Sequence, residues 1–308
     1  MKRLPWKRLP WKRLLWLALS CTALPASAMP GGAIALWPGA PPGGAAAGPQ
    51  QATAKGSITD VAMPYLVAHR AANPNAMAVL VISGGGYAHI EAGKESAPAA
   101  AWLQAHGISA YELVYRLPRE GGGVAALFQD AQRAMRLLRS HASDWGIDPK
   151  RIGIMGFSAG AHLAGITATQ PGVARYAPVD ASDSVSARPD FAVLLYPVLT
   201  MQAPFDTTHA KKILLGPAPS QLQRDALSVE RQVDAQTPPT FIAQALDDAV
   251  AAPDNSLLML AALRRNSVPV ELHLFQRGGH GWGMGKAGSE AAAWPSLLQQ
   301  WLAGLPPD

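Results

Sequence analysis

The chain has 308 residues, of which 49% are hydrophobic and only 15% charged. That length supports one large core or two small ones, and so little charge with so much apolar content excludes intrinsic disorder. The formal net charge of +5 is local: six of the 26 Lys and Arg lie in the first 13 residues, and residues 29–308 carry 20 basic against 21 acidic groups, which leaves nothing to drive non-specific binding to nucleic acid.

Residues 1–28 read as a secretory signal peptide. Lys2, Arg3, Lys7, Arg8, Lys12 and Arg13 lie in the near-repeat KRLPW-KRLPW-KRLLW, and the first acid is Asp60. An apolar stretch follows from Leu14 to Leu24, and Ala26-Ser27-Ala28 offers an A-x-A cleavage site. The stretch is too short to cross a bilayer, which takes about 20 residues. An uncleaved anchor and a lipoprotein signal ending at Cys21 are the alternatives, and Ala18-Leu19-Ser20 fits a lipobox poorly. Cys21 is the only cysteine. Cleavage after Ala28 therefore leaves a chain with neither disulfide nor thiol chemistry, periplasmic or secreted and without stable membrane association.

Residues 29–56 form a Pro/Gly/Ala-rich lead-in, expected to be loosely ordered with Leu36-Trp37 as an anchor on the core. Residues 57–308 read as one domain. Strand-like runs are Ala78–Ser83, Ser109–Arg116, Arg151–Phe157, Phe191–Leu199, Thr240–Leu246 and Val270–Gln276. Several are continuously apolar, as strands buried on both faces of a mainly parallel sheet must be. Helical patterns fall near 96–106, 124–145, 159–169, 254–266 and 287–303. The alternation predicts an α/β class, a three-layer sandwich. Segment 200–238 is less regular and reads as a small excursion over one edge.

Gly156-Phe157-Ser158-Ala159-Gly160 matches G-x-S-x-G. It follows an apolar strand and opens a helical run, the setting in which such a serine sits on a strained strand-to-helix turn with its hydroxyl exposed. The Ser83-Gly84-Gly85-Gly86-Tyr87 run after an earlier strand lets backbone N–H groups converge on one point. Gly85, Gly86 and Ala159 are the expected donors to an oxyanion. A phosphate-binding reading of these glycines lacks the G-x-x-x-x-G-K-[ST] and G-x-G-x-x-G patterns.

A serine hydroxyl needs a base, and the base needs an orienting carboxylate. Of eight histidines, His280 alone stands in a glycine-rich loop directly after the last strand. His162, one turn past Ser158, reads as a packed side chain. Strand Thr240–Leu246 runs into Asp247-Asp248, at the strand end where sheet enzymes gather site residues. Asp248 is preferred because it lies further into the loop, with Asp247 as the alternative. Asp190 lies at the opposite end of the sheet. Tyr87, Tyr196 and Trp282 are candidates to line a pocket or to pack as core.

Over residues 34–303 the chain resembles α/β-hydrolase esterases, specifically a bacterial secreted acetylxylan-esterase-like (xylan-esterase-like) group. The resemblance is carried by LWPGAPPG, SGGGYAHI…GKES, YRLP, DAQRAMRLLRSHASDWGIDPKRIGIMGFSAGAHLA, RPDFAVLLYPV, TPPTFIAQALDDAVAAPDNSL and VPVELHLFQRGGHGWG. It implies an α/β-hydrolase fold with Ser158, Asp248 and His280 as a triad. The chain departs at Ser83, where Pro is usual, at Ala161 and at Ala251-Ala252, and none of these removes a reacting atom.

The expected activity is hydrolysis of short-chain acyl esters, O-acetyl above all, on small-molecule or carbohydrate substrates such as plant-polysaccharide sugars, with no metal or organic cofactor. Two alternatives remain: a peptidase akin to prolyl oligopeptidases, against which the lack of a propeller argues, and a non-catalytic binding protein, against which the intact set of residues argues. Export is expected to release a chain beginning near Met29. Mass-spectrometric reading of the exported N-terminus checks this, and a start at Met1 or at a lipidated Cys21 overturns it.

Overall fold

A computed structural model describes residues 32–305, apart from residues 45 and 47. The proposed signal peptide, its cleavage site, Cys21 and the first residues of the lead-in lie outside the described residues. All of the expected apolar runs form strands: β5 (Ala78–Ile82), β7 (Ser109–Val114), β8 (Ile152–Phe157), β9 (Phe191–Leu195), β10 (Thr240–Ala245) and β11 (Val270–Phe275). They pair in parallel in the order β7-β5-β8-β9-β10-β11. Two short strands extend the β7 edge antiparallel, β4 (Tyr65–His69) and then β1 (Ala33–Ala35). A separate small sheet joins β2 (Gln51–Ala52), β3 (Ser57–Thr59) and β6 (Ile90–Glu91).

Alternation within each strand serves two helical layers. In β5, Ala78, Leu80 and Ile82 face one core and Val79 and Val81 the other. The first core is closed by α2 (Gly123–Ser140), α3 (Ala159–Thr169) and α6 (Asp254–Arg265), the second by α1 (Ser96–Ala105) and α7 (Trp294–Ala303). Helix α2 presents Leu127, Ala131, Ala134, Met135 and Leu138 to its core, the spacing of one helical face. The result is the three-layer sandwich expected from the sequence.

Two readings need correction. Segment 200–238 is more regular than expected. It forms α4 (His209–Leu215), capped by the Thr208 side chain on the Lys211 N–H, and α5 (Gln221–Leu227), closed by a Ser220/Gln223 capping box. Both caps satisfy N–H groups that a short helix leaves free. The lead-in is anchored on the core at Leu36-Trp37 as expected, but the residues after the anchor are held more firmly than a loose lead-in would be. Leu36 and Trp37 are buried. The Trp37 indole N–H donates to Asp130, whose carboxylate holds Arg116. Arg116 donates onward to the Pro42 and Gly44 carbonyls, and Arg133 to that of Leu36. Composition suggested a tether, whereas two buried guanidinium groups satisfy its backbone carbonyls.

Arg116 is 1% and Asp130 0% exposed. Removing one partner of such a pair leaves an uncompensated buried charge, so Asp130→Ala is expected to lower unfolding free energy by about 3–5 kcal/mol in denaturant titration. A loss below about 1 kcal/mol, the scale of a surface pair, would contradict the role given to this ion pair.

Candidate active site

Strands β5, β8, β10 and β11 release their C-terminal ends toward one edge of the sheet, and each feeds a loop that reaches the same cavity. It encloses about 530 Å³ and is lined by Gly85, Gly86, Ser158, Ala159, His280 and, on its sides, Val198, Ala210 and Val250. The turn after β8 sets the geometry. Ser158 adopts φ 51° and ψ −118°, a conformation that L-residues occupy only when their surroundings enforce it. The flanking glycines are required by contact. A Cβ on Gly156 would lie 2.3 Å from the Gly160 carbonyl oxygen, and one on Gly160 would lie 2.3 Å from that of Ile82. The Ser158 N–H donates to the Leu195 carbonyl, which locks the turn to β9.

The Ser158 Oγ lies 2.8 Å from His280 Nε2, and His280 Nδ1 lies 2.7 Å from Asp248 Oδ2. Asp248 is buried, and its other oxygen accepts from the Val250 and Ala251 N–H groups. Gln244 Nε2 also donates to Oδ2, at 3.2 Å. These donors fix the carboxylate's orientation toward the imidazole. A carboxylate can only accept, so the proton of a neutral His280 belongs on Nδ1, which leaves Nε2 to accept from the serine hydroxyl.

Asp247, the alternative, is turned away from the imidazole. Its Oδ1 accepts from the Gly278 and Gly279 N–H groups at 2.8 and 2.7 Å. These backbone bonds, Gly279's first, lower its pKa. It therefore shapes the loop on which His280 stands. Asp190 accepts from the Ile152 N–H at the start of β8, the far end of the sheet.

Among the described residues, the N–H groups of Gly85, Gly86 and Ala159 find no protein acceptor, and all three residues line the cavity. Gly84, the first of the run, is different: its N–H donates to the buried Glu95 carboxylate at 2.6 Å. The Ser83 side chain accepts from the Ser96 N–H, and its carbonyl accepts from the Tyr115 hydroxyl. The loop is thus fixed at its root while its next two N–H groups stay available.

The aromatic candidates do not line the cavity. Tyr87, at φ 62°, turns into the core and bonds His162 Nδ1 at 2.9 Å. His162 Nε2 meets the Leu227 carbonyl, and burial pushes this imidazole down to about 4, so it stays neutral. Tyr196 is wholly buried beneath His280, with ring centroids 5.1 Å apart, and Trp282 packs edge-on against Tyr196. His209 and Glu95 are among the cavity residues not singled out from the sequence. His209, at the start of α4, bonds the Gly86 carbonyl through Nδ1 at 3.1 Å. Glu95 was visible only as part of the GKES run. No periodicity marks either residue, because both meet the site through contacts distant in sequence.

Residues 65–263 match the BD-FAE family. Endo-1,4-beta-xylanase B of Butyrivibrio fibrisolvens is 36% identical over 207 residues, which cover 66% of this chain and 32% of that protein. An acetylxylan esterase of Xylanibacter ruminicola is 29% identical over 254 residues, which cover 81% of this chain and 50% of that protein. The chain thus spans half or less of the length of these curated relatives. The crystal structure of an acetyl ester-xyloside bifunctional hydrolase from Caldicellulosiruptor lactoaceticus superposes with a TM-score of 0.70 at 37% identity, covering 78% of this chain and 88% of that one. With its mainly parallel sheet between two helical layers, the chain has the α/β-hydrolase fold and belongs to the BD-FAE family.

Proposed function

We propose that this protein is a serine carboxylesterase that hydrolyses short-chain acyl esters through an acyl-enzyme, with O-acetyl groups on plant-polysaccharide sugars as its natural substrates. The observation that carries the reading is the unbroken Asp248–His280–Ser158 chain, with contacts of 2.7 and 2.8 Å, opening onto a cavity edged by free N–H groups. Relatives named for acetyl ester hydrolysis support it. Export through the basic and apolar residues 1–28 belongs to the same proposal. No described helix is long and apolar enough to cross a membrane.

In this mechanism Ser158 Oγ attacks the ester carbonyl carbon while His280 Nε2 takes its proton. Asp248 holds the Nδ1–H and stabilises the imidazolium that forms. The carbonyl oxygen, now negative, lies against the N–H groups of Gly85, Gly86 and Ala159, which need no reorganisation to meet it. Collapse of the intermediate breaks the bond to the leaving alcohol, which takes the proton from His280. Water then attacks the acyl group on Ser158, His280 acting again as base, and carboxylic acid is released.

The walls formed by Val198, Ala210 and Val250 are short side chains that suit a small acyl group. Ser158→Ala is expected to reduce p-nitrophenyl acetate hydrolysis to background with the fold intact by circular dichroism, and a serine-directed phosphonate is expected to label the wild type at Ser158. In the same assay acetate and propionate esters are expected to outpace octanoate. Full activity in Ser158→Ala would end the serine mechanism, and faster octanoate turnover would end the short-acyl preference.

The two neighbouring aspartates separate by role. Asp248→Asn is expected to lower turnover by about 10⁴-fold, the cost of misorienting the imidazole. Asp247→Asn keeps an acceptor oxygen for the Gly278 and Gly279 N–H groups, loses only the charge, and is expected to cost far less. Steady-state kinetics of both variants decide the matter, and the reverse ranking would move the triad acid to Asp247.

A further inference from the structure

Glu95 is a buried carboxylate that the mechanism above does not use. It is 3% exposed and lines the cavity beside Ser158 and His280. Among the described residues its hydrogen-bond partners are the Gly84 N–H and the Tyr196 hydroxyl, and no Lys or Arg forms a salt bridge with it. Burial raises its pKa, and the Gly84 N–H and the Tyr196 hydroxyl oppose that shift. A carboxyl group buried in such a place without a Lys or Arg partner calls for an explanation.

The explanation lies in what it joins. Oε2 accepts from the Gly84 N–H at 2.6 Å, and Oε1 accepts from the Tyr196 hydroxyl at 2.9 Å. The Tyr196 oxygen in turn accepts from the Gly283 N–H at 3.1 Å, so its own proton is directed to Glu95. Three segments meet through these bonds: the glycine loop after β5, the chain just past β9, and the loop carrying His280. Each has a left-handed backbone to be held. Gly85 and Gly86 lie at φ 109° and 61°, Tyr196 at 35°, and Gly283 at 55°. A Cβ on Gly283 would lie 2.5 Å from the Lys94 carbonyl oxygen, so the histidine loop rests directly on the residue before Glu95.

We propose that Glu95 is a positioning residue for ester hydrolysis, fixing the Gly84–Gly86 loop and the His280 loop against each other so that oxyanion donors and imidazole meet Ser158 in register. The inference rests on the serine-esterase reading given above. Glu95 makes no hydrogen bond to Ser158, Asp248 or His280. It acts through Gly84 on one side and through Tyr196 and Gly283 on the other. An amide replaces it only in part: glutamine has one acceptor oxygen for two donors, and its NH₂ would either face the Gly84 N–H or turn the Tyr196 hydroxyl proton out of the link.

The test compares Glu95→Gln, Tyr196→Phe and the double variant, with competent sites counted by exhaustive phosphonate labelling of Ser158. Removing an oxyanion donor outright costs about 10²–10³ in kcat, so misplacing the loop by Glu95→Gln is expected to cost about 10–100-fold in kcat per labelled site. KM is expected to stay within about twofold of wild type, because a contact realised in the transition state is lost rather than substrate binding. The phosphonate labelling rate is expected to fall in parallel with kcat. Tyr196→Phe is expected to lower kcat in the same direction, and the double variant to lose no more than about threefold beyond the worse single, since both residues serve one link.

A purely structural role would instead reduce the amount of labelled protein and leave kcat per site unchanged. That result, or losses that simply multiply in the double variant, overturns the proposal. Should Glu95→Gln fail to fold, Tyr196→Phe, which keeps the ring, carries the decision by the same kcat criterion. A wild type labelled at Ser158 with an unaffected Glu95→Gln sinks this inference alone. A wild type unlabelled at Ser158, with Ser158→Ala still active, sinks the serine reading and this inference with it.

Discussion

Ser158 is held at φ 51° and ψ −118°, a conformation that costs on the order of 1–3 kcal/mol and persists only where neighbours over-determine it. The neighbours here are backbone. Gly156 and Gly160 let the chain pass within contact distance of itself and of the end of β5. The Ser158 N–H is tied to Leu195, and its carbonyl accepts from the N–H groups of Ala161, His162 and Val198. Local turn, first helical turn and adjacent strand thus share one residue. The hydroxyl is lifted above the sheet because the backbone beneath it has nowhere else to go.

The groups around that hydroxyl are placed by acidic side chains, each with a distinct task. Asp248 is buried and faces the imidazole. Asp247, exposed one residue earlier, fastens Gly278 and Gly279 and so sets the height of the histidine loop. Glu95 stands beneath both the glycine loop and the Tyr196–Gly283 contact. In every case backbone N–H groups donate to a carboxylate. Such charge-assisted bonds are stronger than neutral ones, and they let short loops keep left-handed conformations. A cavity built this way is preorganised, and that matters most where negative charge develops on an oxygen.

Away from the cavity, a second polar network secures the antiparallel edge of the sheet. Arg116 and Arg133 take up the carbonyls of residues 36–44, with Asp130, Asp180 and Asp183 as counter-charges. Strand β1 then covers β4 and buries Leu36 and Trp37. The parallel strands need no such device, because helices on both faces already satisfy their apolar side chains.

The sequence by itself determined the α/β class, the parallel strands and the helices of both layers, because continuous apolar runs and 3.6-residue faces are local properties of a chain. It also singled out Ser158 and His280 as residues to watch, since a serine between flanking glycines and a histidine in a glycine loop are marked by their immediate neighbours. It did not reveal β1, β4 or the caps of α4 and α5. Two- to five-residue strands and seven-residue helices carry too little pattern, and their stability comes from pairing and capping partners. Tertiary structure fixed which of two adjacent aspartates turns toward the imidazole, because burial and the partners each carboxylate meets are set by segments far away in the chain. It alone moved Tyr87 and Tyr196 from candidate pocket walls to buried supports, and it alone brought Glu95 beneath loops 11 and 188 residues away. Those outcomes depend on contacts between segments far apart in the chain, and such contacts leave no periodic trace in a sequence.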